Sequence, residues 1–509
     1  MILNLFSSRP DHPLGDPKEL KRVIAELPID NAFKAVDEVA GWFDSLQHAD
    51  DFRVDHYFDV VQQLDEASQS HLRRLARDYL HSPRLSKTEE RRLWTINFSY
   101  WGNIAGLYAH CIERAAQNPK DKGSELLKPS LSLAAARLLA ARAAQLKWVE
   151  YRYGPASEGL WRSLGRDYLA AESAGYAQKP LQLYPNQPGV TSVAQQYLQA
   201  LVFQSSSMDS LMPLEIELAD RLVGHFLPGF VFTNDCRADS VYWIDAASDL
   251  PPARLARHPS QVTPTLRFFS PGTAPQALNE LIRTVERGEV PENLNLGGQH
   301  PAKVVLPVLR HLAMYWAAQP PLREHQRHNV KTRICVLHGF DDSFTVFAGE
   351  VARLGKERSA ESWVVENVSL GGFGAGVNDL CGDWLKVGAL LSMQPEGGDN
   401  WVLGVVRRYS KDSDAHANVG IQSLSRQAQG VQLRPRTTGI AAMTAVPGIW
   451  MREGNAPGEA RLVLPPASFD LRESLEFCHD DRNYLLTPIE LEESGSDYEI
   501  ARYREHVAD

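Results

Sequence analysis

ICVLHGF at 334–340, SFTVFAGE at 343–350, SWVVENVSL at 362–370, LKVGALLSMQ at 385–394, NWVLGVVRRYS at 400–410 and ANVGIQSLS at 417–425 decide how this chain is read. Each is a short run rich in Val, Ile, Leu, Phe or Trp, with Gly, Asp and Asn between the runs. β-Branched and aromatic side chains suit a pleated, half-buried surface, while Gly, Asp and Asn accept the backbone angles of tight turns. Runs of this length in close succession predict a small antiparallel barrel, because parallel strands would need a long crossover between them. From about 436 onward ARLVLPP, ESLEFC, NYLLTPIEL and YEIARYRE predict further strands. Their pattern suits either an extension of the barrel or a subdomain of its own.

Upstream the period changes. Between 17 and about 225 apolar residues recur at three and four positions, as in RVIAELPIDNAFKAVDEVAGWF, HYFDVVQQLDEASQSHLRRLARDYL and SLSLAAARLLAARAAQLKWVEYRYG. That is the spacing of one helix face. HSPRLSK, NPKDKG and YPNQPG interrupt the pattern, so helical hairpins in a bundle or array are expected. Trp161, Leu164, Gly165 and Tyr168 match the first helix of a tetratricopeptide repeat. The second helix does not follow that pattern and nothing echoes it at the repeat's period, so the four residues read as ordinary packing on one helix face. From about Gly229 the segment FVFTNDCRADSVYWIDAAS predicts two short strands, followed by the helices APQALNELIRTVERG and PAKVVLPVLRHLAMYWAAQ, which Pro320 and Pro321 stop. The expected fold class is multidomain α+β, with a helical domain at 1–225 and a mixed α/β connecting segment at 226–320. The barrel follows at 321–435 and a β-rich C-terminal extension at 436–509.

The chain has 509 residues, 43% of them hydrophobic, and a formal net charge of −10. That length suits several cores, and that charge argues against general binding to nucleic-acid polymers or anionic membranes. Five cysteines are scattered and never form a CxxC pair, which suits a reducing compartment. The opening MILNLFSSRPDHPLGDP lacks the basic flank and apolar stretch of a signal peptide. The longest apolar-rich stretch, 131–148, is interrupted by Arg137, Arg142 and Lys147, so no membrane span is expected. A cytoplasmic protein is predicted.

Two local features carry chemistry. Just before the first barrel run stands a basic arm in which Arg323, Arg327, Lys331 and Arg333 outweigh Glu324, a formal +3. Arginine forks bind phosphates and the O6/N7 edge of guanine bidentately. By itself such an arm is more often a solvated linker. The second feature is Asn367-Val-Ser369-Leu-Gly371-Gly372 at the end of a predicted strand. Asn and Ser ordinarily bend a strand into a turn here, and glycine supplies the backbone freedom. They can equally offer polar groups to a base edge beside a barrel, with Gly372 allowing close approach.

In this order and spacing, an RxxxR arm (Arg323, Arg327), a strand pair, [DN]xSxxG (Asn367, Ser369, Gly372) and further runs ending in VGIQSL resemble the PilZ family of cyclic di-GMP receptors. The resemblance covers about 322–433 and is silent on 1–320. It implies a six-stranded PilZ-type barrel whose two arginines hold guanine edges and phosphates. Asn367 and Ser369 would contact the other guanine, and Gly372 would shape the turn between them. Asn stands where Asp is commoner, and Ser423 where an aromatic is frequent. In the family a further arginine before RxxxR favours an intercalated ligand pair, whereas this chain has Leu322, so one cyclic di-GMP per barrel is expected.

Nothing in this set is a nucleophile, metal ligand or general base, so the expectation is a receptor and not an enzyme, with no cofactor beyond the ligand. The ligand would order the arm from 323 to 333 and change how the helical region meets a protein partner. The alternative is a helical scaffold carrying a PilZ-like barrel that binds nothing; intact signature residues favour the first. GGFGAG does not fit the dinucleotide pattern GxGxxG. Cys478-His479-Asp480-Asp481 point in different directions along a strand or turn, Asp341-Asp342 read as a hairpin turn, and His325 and His328 stand near the arginines without an assigned role.

Overall fold

The structure, a computed structural model, describes residues 10–82, 85–257, 259, 262–320, 325–350, 360–378, 382–413, 415–436 and 445–508. The chain forms two compact units. The first takes the chain up to the connection at 321, apart from residues 153–155 and 209–212, and the second takes those two segments and the rest.

In the first unit helices α1 (Pro17–Glu26), α2 (Ala32–Leu46), α3 (Val54–His81), α4 (Lys87–Gln117), α5 (Lys122–Leu127), α6 (Leu131–Glu150), α7 (Leu160–Ser173), α8 (Val193–Ser205) and α9 (Pro213–Phe226) follow one another. Their starts are written in the sequence. Asn31 caps α2 through Lys34 N at 3.0 Å, and Ser86 and Glu89 form a reciprocal capping box at α4. The core gathers Val36, Phe43, Tyr57, Leu64, Tyr100 and Ile104 from α2, α3 and α4, all fully buried. Inside it Asp65 accepts hydrogen bonds from Tyr100 (3.1 Å), Tyr108 (2.7 Å) and Tyr184 (3.2 Å), with Arg137 3.6 Å away. Burial pushes the Asp65 carboxyl above its ordinary range, against the opposing pull of Arg137 and the tyrosines. A buried acid persists only when so surrounded.

Strands β1 (Val231–Thr233), β2 (Tyr242–Asp245), β3 (Ala253–Arg254) and β4 (Leu266–Ser270) make an antiparallel sheet in the order β1-β4-β2-β3, followed by α10 (Ala274–Glu286) and α11 (Ala302–Trp316). This sheet packs with the helices. A Cβ at Gly165 would lie 1.8 Å from the Ala246 carbonyl oxygen, so α7 meets the segment after β2 at backbone contact. The Trp161, Leu164, Gly165, Tyr168 cluster is accounted for by that packing.

The second unit opens with β5 (His328–His338) and a helix, α12 (Phe340–Phe347), then β6 (Glu361–Ser369), β7 (Gly372–Asn378), β8 (Leu390–Pro395), β9 (Val402–Lys411) and β10 (His416–Ser425). The six strands close into a barrel in the order β10-β7-β6-β5-β8-β9. A second closed barrel follows, built from β11 (Ala428–Pro435), β12 (Val446–Met451), β13 (Glu459–Leu464), β14 (Leu475–His479), β15 (Arg482–Ser494) and β16 (Glu499–Ala508) in the order β11-β12-β13-β16-β15-β14. The β-rich tail is therefore a barrel in its own right. It begins at Ala428, inside the span expected for the first.

The strand expected at SFTVFAGE is helix α12, and Asp341 and Asp342 form its first turn rather than a hairpin. The acids suit the positive end of the helix, and Phe340, Phe344 and Phe347 fall on one face at helical spacing. That face packs into a core shared by Leu390, Leu403 and Val405 of the first barrel and Ile449, Met451, Val463, Tyr498 and Ile500 of the second. Tertiary burial overrides the strand-like composition. Among the described residues no helix is long and apolar enough to cross a membrane, and four cysteines are free.

Candidate functional site

The pairing of β5 with β6 brings the two sequence motifs together. His328 stands opposite Val368 and Asn329 opposite Asn367. Arg327, one residue before β5, therefore lies next to the end of β6 that carries Ser369. Of the arm expected at 323–333, residues 328–333 belong to β5, where His328, Asn329, Thr332 and Arg333 pair with β6 on either side of an irregularity at Val330 and Lys331. Arg327 is exposed and forms no ion pair with a described acid. Arg323 and Leu322 lie outside the described residues. Further back, the ring of His325 comes to 3.1 Å from where a Cβ on Gly371 would sit, so the arm reaches the hairpin tip between β6 and β7.

Local register decides where Asn367 points. In β6, Trp363 and Val365 face the barrel interior and are buried, and Val365 pairs with Ala375 of β7. Asn367 then pairs with Gly374, so β6 spends two residues where β7 spends one. A bulge of this kind turns the following side chains to the other face. β7 alternates without interruption against β10, which puts Gly374 on the outer face, opposite to the core residues Ala375 and Val377. The Asn367 carboxamide follows it outward and lies over Gly374, its Nδ2 2.5 Å from the place a Cβ would occupy.

Ser369 pairs with Gly372, leaving Leu370 and Gly371 as a two-residue hairpin tip, and Ser369 Oγ donates to the Gly372 carbonyl at 3.3 Å. A Cβ on Gly372 would fall 1.9 Å from the Ile421 carbonyl oxygen of β10. The closest neighbour of Gly372 is thus a strand backbone, which accounts for the glycine by itself. Leu370 is 71% exposed at the tip. Ser423 N donates to the Gly371 carbonyl at 3.0 Å, and the Ser423 hydroxyl is buried without a partner.

The arrangement is an exposed cation, Arg327, near the end of a strand that carries outward amide and hydroxyl groups. Such groups can hold a phosphate and a base edge. Among the described residues no cluster of His, Cys, Asp or Glu has metal-binding geometry. Reading the sequence alone missed Asn329, opposite Asn367, and the part Gly374 plays in seating Asn367. The alternating glycines of GFGAG in β7 were the available signal.

Residues 18–235 match the family model described as the N-terminal domain of the cyclic-di-GMP receptor FimW. This similarity covers under half of the chain and falls on the helical unit, away from the barrel motifs. No curated protein and no solved structure matches.

Proposed function

We propose that the chain is a cyclic di-GMP receptor whose first barrel is of PilZ type and binds the messenger without chemical change. Arg323 and Arg327 hold phosphates and guanine edges, while Asn367 and Ser369 meet the second guanine beside the turn at Gly372. What supports this reading is the β5–β6 register, in which His328 and Asn329, just after Arg327, stand opposite Val368 and Asn367. The similarity of 18–235 to a cyclic-di-GMP receptor domain supports it independently, from the other unit. One messenger binds per barrel, since Leu322 offers no donor to a second. Binding draws the connection up to Arg327 onto the Asn367–Gly372 turn and changes how the helical unit meets a protein partner. The ligand can shift that equilibrium only through its higher affinity for the closed form. Calorimetric titration of the full chain with cyclic di-GMP tests the reading. Saturable binding that Arg327→Ala removes is expected, and the absence of binding would return the barrel to a scaffold role.

A further inference from the structure

The helical unit contains a cleft of about 220 Å3 that the barrel reading does not use. It is walled by the face of α3 that carries Leu72, Arg73, Ala76 and Arg77, at the three- and four-residue spacing of one helix side. α6 and α9 supply Lys147 and Arg221, and the segment after α10 closes it with Asn295, Gly297 and His300. Ala76 and Ala144, small residues on facing helices, leave the space open.

Its charge is one-sided. Arg73, Arg77, Lys147 and Arg221 line it against the single acid Glu217, four positive against one negative, or a formal +3 before the histidines. At the inner wall the charges are matched. Lys147 lies 2.8 Å from both Glu217 and Asp220, and Arg221 lies 2.6 Å from Glu217. Burial would raise the Glu217 carboxyl, but Lys147 and Arg221 hold it down to about 2, so it stays ionised. The loop is built around Arg221, which donates to the Asn295 carbonyl at 3.2 Å. A Cβ on Gly297, at φ +81°, would come within 2.7 Å of its guanidinium carbon.

At the rim the charges are not matched. Arg73 and Arg77 are exposed, one turn apart on α3, and neither forms an ion pair with a described acid. His81 and His300 stack beside them with ring centroids 5.7 Å apart. Asn97, 1% exposed, also lines the cleft; its Nδ2 donates to the Leu93 carbonyl while its Oδ1 has no partner. A buried acceptor without a donor is destabilising unless something supplies the donor.

We infer that this cleft is a second binding site, for a phosphate-bearing molecule of mononucleotide size. Paired guanidinium groups with no acid of their own suit a phosphate dianion, and the lone Asn97 acceptor suits a ligand that also carries a hydroxyl or amino donor. The volume falls below the roughly 300–1,000 Å3 of pockets for drug-sized ligands, which sets the upper size and disfavours a cyclic dinucleotide.

The test is calorimetric titration of the full chain at low salt with guanosine 5′-monophosphate and, separately, with pyrophosphate. The Arg73→Ala/Arg77→Ala double variant should bind the mononucleotide at least tenfold more weakly, with affinity for cyclic di-GMP unchanged. Arg327→Ala should leave mononucleotide binding as in the parent. No heat with either probe, or equal binding by the double variant, would overturn the inference. Loss of mononucleotide binding in Arg327→Ala would overturn it too, since the probe would then sit at the barrel. Both arginines are exposed on α3, so the double variant should melt like the parent chain. The inference does not depend on the barrel reading, and cyclic di-GMP titration scores that reading separately.

Discussion

The carboxamide of Asn367 lies across Gly374, with Nδ2 2.5 Å and Oδ1 2.7 Å from the position a Cβ there would take. An alanine at 374 would force Asn367 to rotate away, although alanine in a strand otherwise costs the backbone less entropy than glycine. Gly374→Ala should therefore weaken cyclic di-GMP binding by about tenfold, the value of one lost hydrogen bond in a partly buried site, while the barrel stays folded. Gly376→Ala serves as the control, since its nearest neighbour is the movable end of Glu366 at 3.1 Å. Equal effects of the two substitutions on titration would disconnect Asn367 from the ligand.

Arg327→Ala and Arg323→Ala should each lower affinity by roughly 30- to 150-fold, the equivalent of about 2–3 kcal/mol for a charge-assisted contact. Ser369→Ala should cost less, on the order of 1 kcal/mol, because its hydroxyl makes a neutral bond and already donates at 3.3 Å to Gly372. Titrations in which both arginine variants match the parent would remove the arm from the site.

Much of this arrangement was legible beforehand, and its limits are physical. The runs that became β5, β6, β8, β9 and β10 were marked by composition and turn residues, because a strand's two-residue period is local, whereas the glycine-rich β7 carried no such mark. Phe340, Phe344 and Phe347 carried a helical spacing, but β-branched and aromatic content outweighed it until the core shared by the two barrels was in view. Closure of the second barrel was not readable, since it depends on pairing β13 with β16, across β14 and β15 in sequence. The residues Asn367, Ser369 and Gly372 stood out in the sequence as one motif, yet the face they present rests on the bulge before Asn367, which no residue type announces.

The second unit should lose stability in acid partly through Glu493. Arg407 of β9 grips this carboxylate of β15 with two bonds at 2.7 and 2.6 Å, and the Tyr498 hydroxyl donates at 2.5 Å. Burial opposes ionisation, but these contacts outweigh it and hold the carboxyl below its ordinary range. A depressed folded-state value means that the contribution is present above the ordinary carboxylate range and is lost as pH falls through the folded value. Arg407→Ala should cost about 1–3 kcal/mol at neutral pH, less than a fully buried pair because both side chains are partly exposed. Glu493→Gln should flatten the acid limb of a melting-temperature profile, and an unchanged limb would assign that pH dependence to other groups.

Titration should end at one cyclic di-GMP per chain. Leu322→Arg places a guanidinium immediately before Arg323 and should move the ratio toward two. A parent ratio of two would show that the residue before the motif does not limit occupancy here.

Limited trypsin digestion should separate the arm from the strand it leads into. Arg327 is exposed and lies just outside the first β5–β6 pair, whereas Arg333 lies in the ladder, where Thr332 and Arg333 pair with Val365 and Val364 beyond the irregularity that holds Lys331. A protease needs an extended segment it can pull into its cleft, so backbone already committed to a ladder is cut only after local opening. In the free protein cleavage should therefore begin at Arg327 and leave Arg333 intact. A ligand that binds through Arg327 gains its charge-assisted bonds only when this side chain is folded onto the Asn367–Gly372 turn, and a shift from mostly open to mostly closed needs a few kcal/mol of such preference. Saturating cyclic di-GMP should then suppress the Arg327 cut selectively, and Arg323→Ala should weaken that protection in proportion to its loss of affinity. Cleavage at Arg327 that proceeds equally with and without ligand would mean that the arm does not close over the messenger, and the signal would have to leave the barrel by another route.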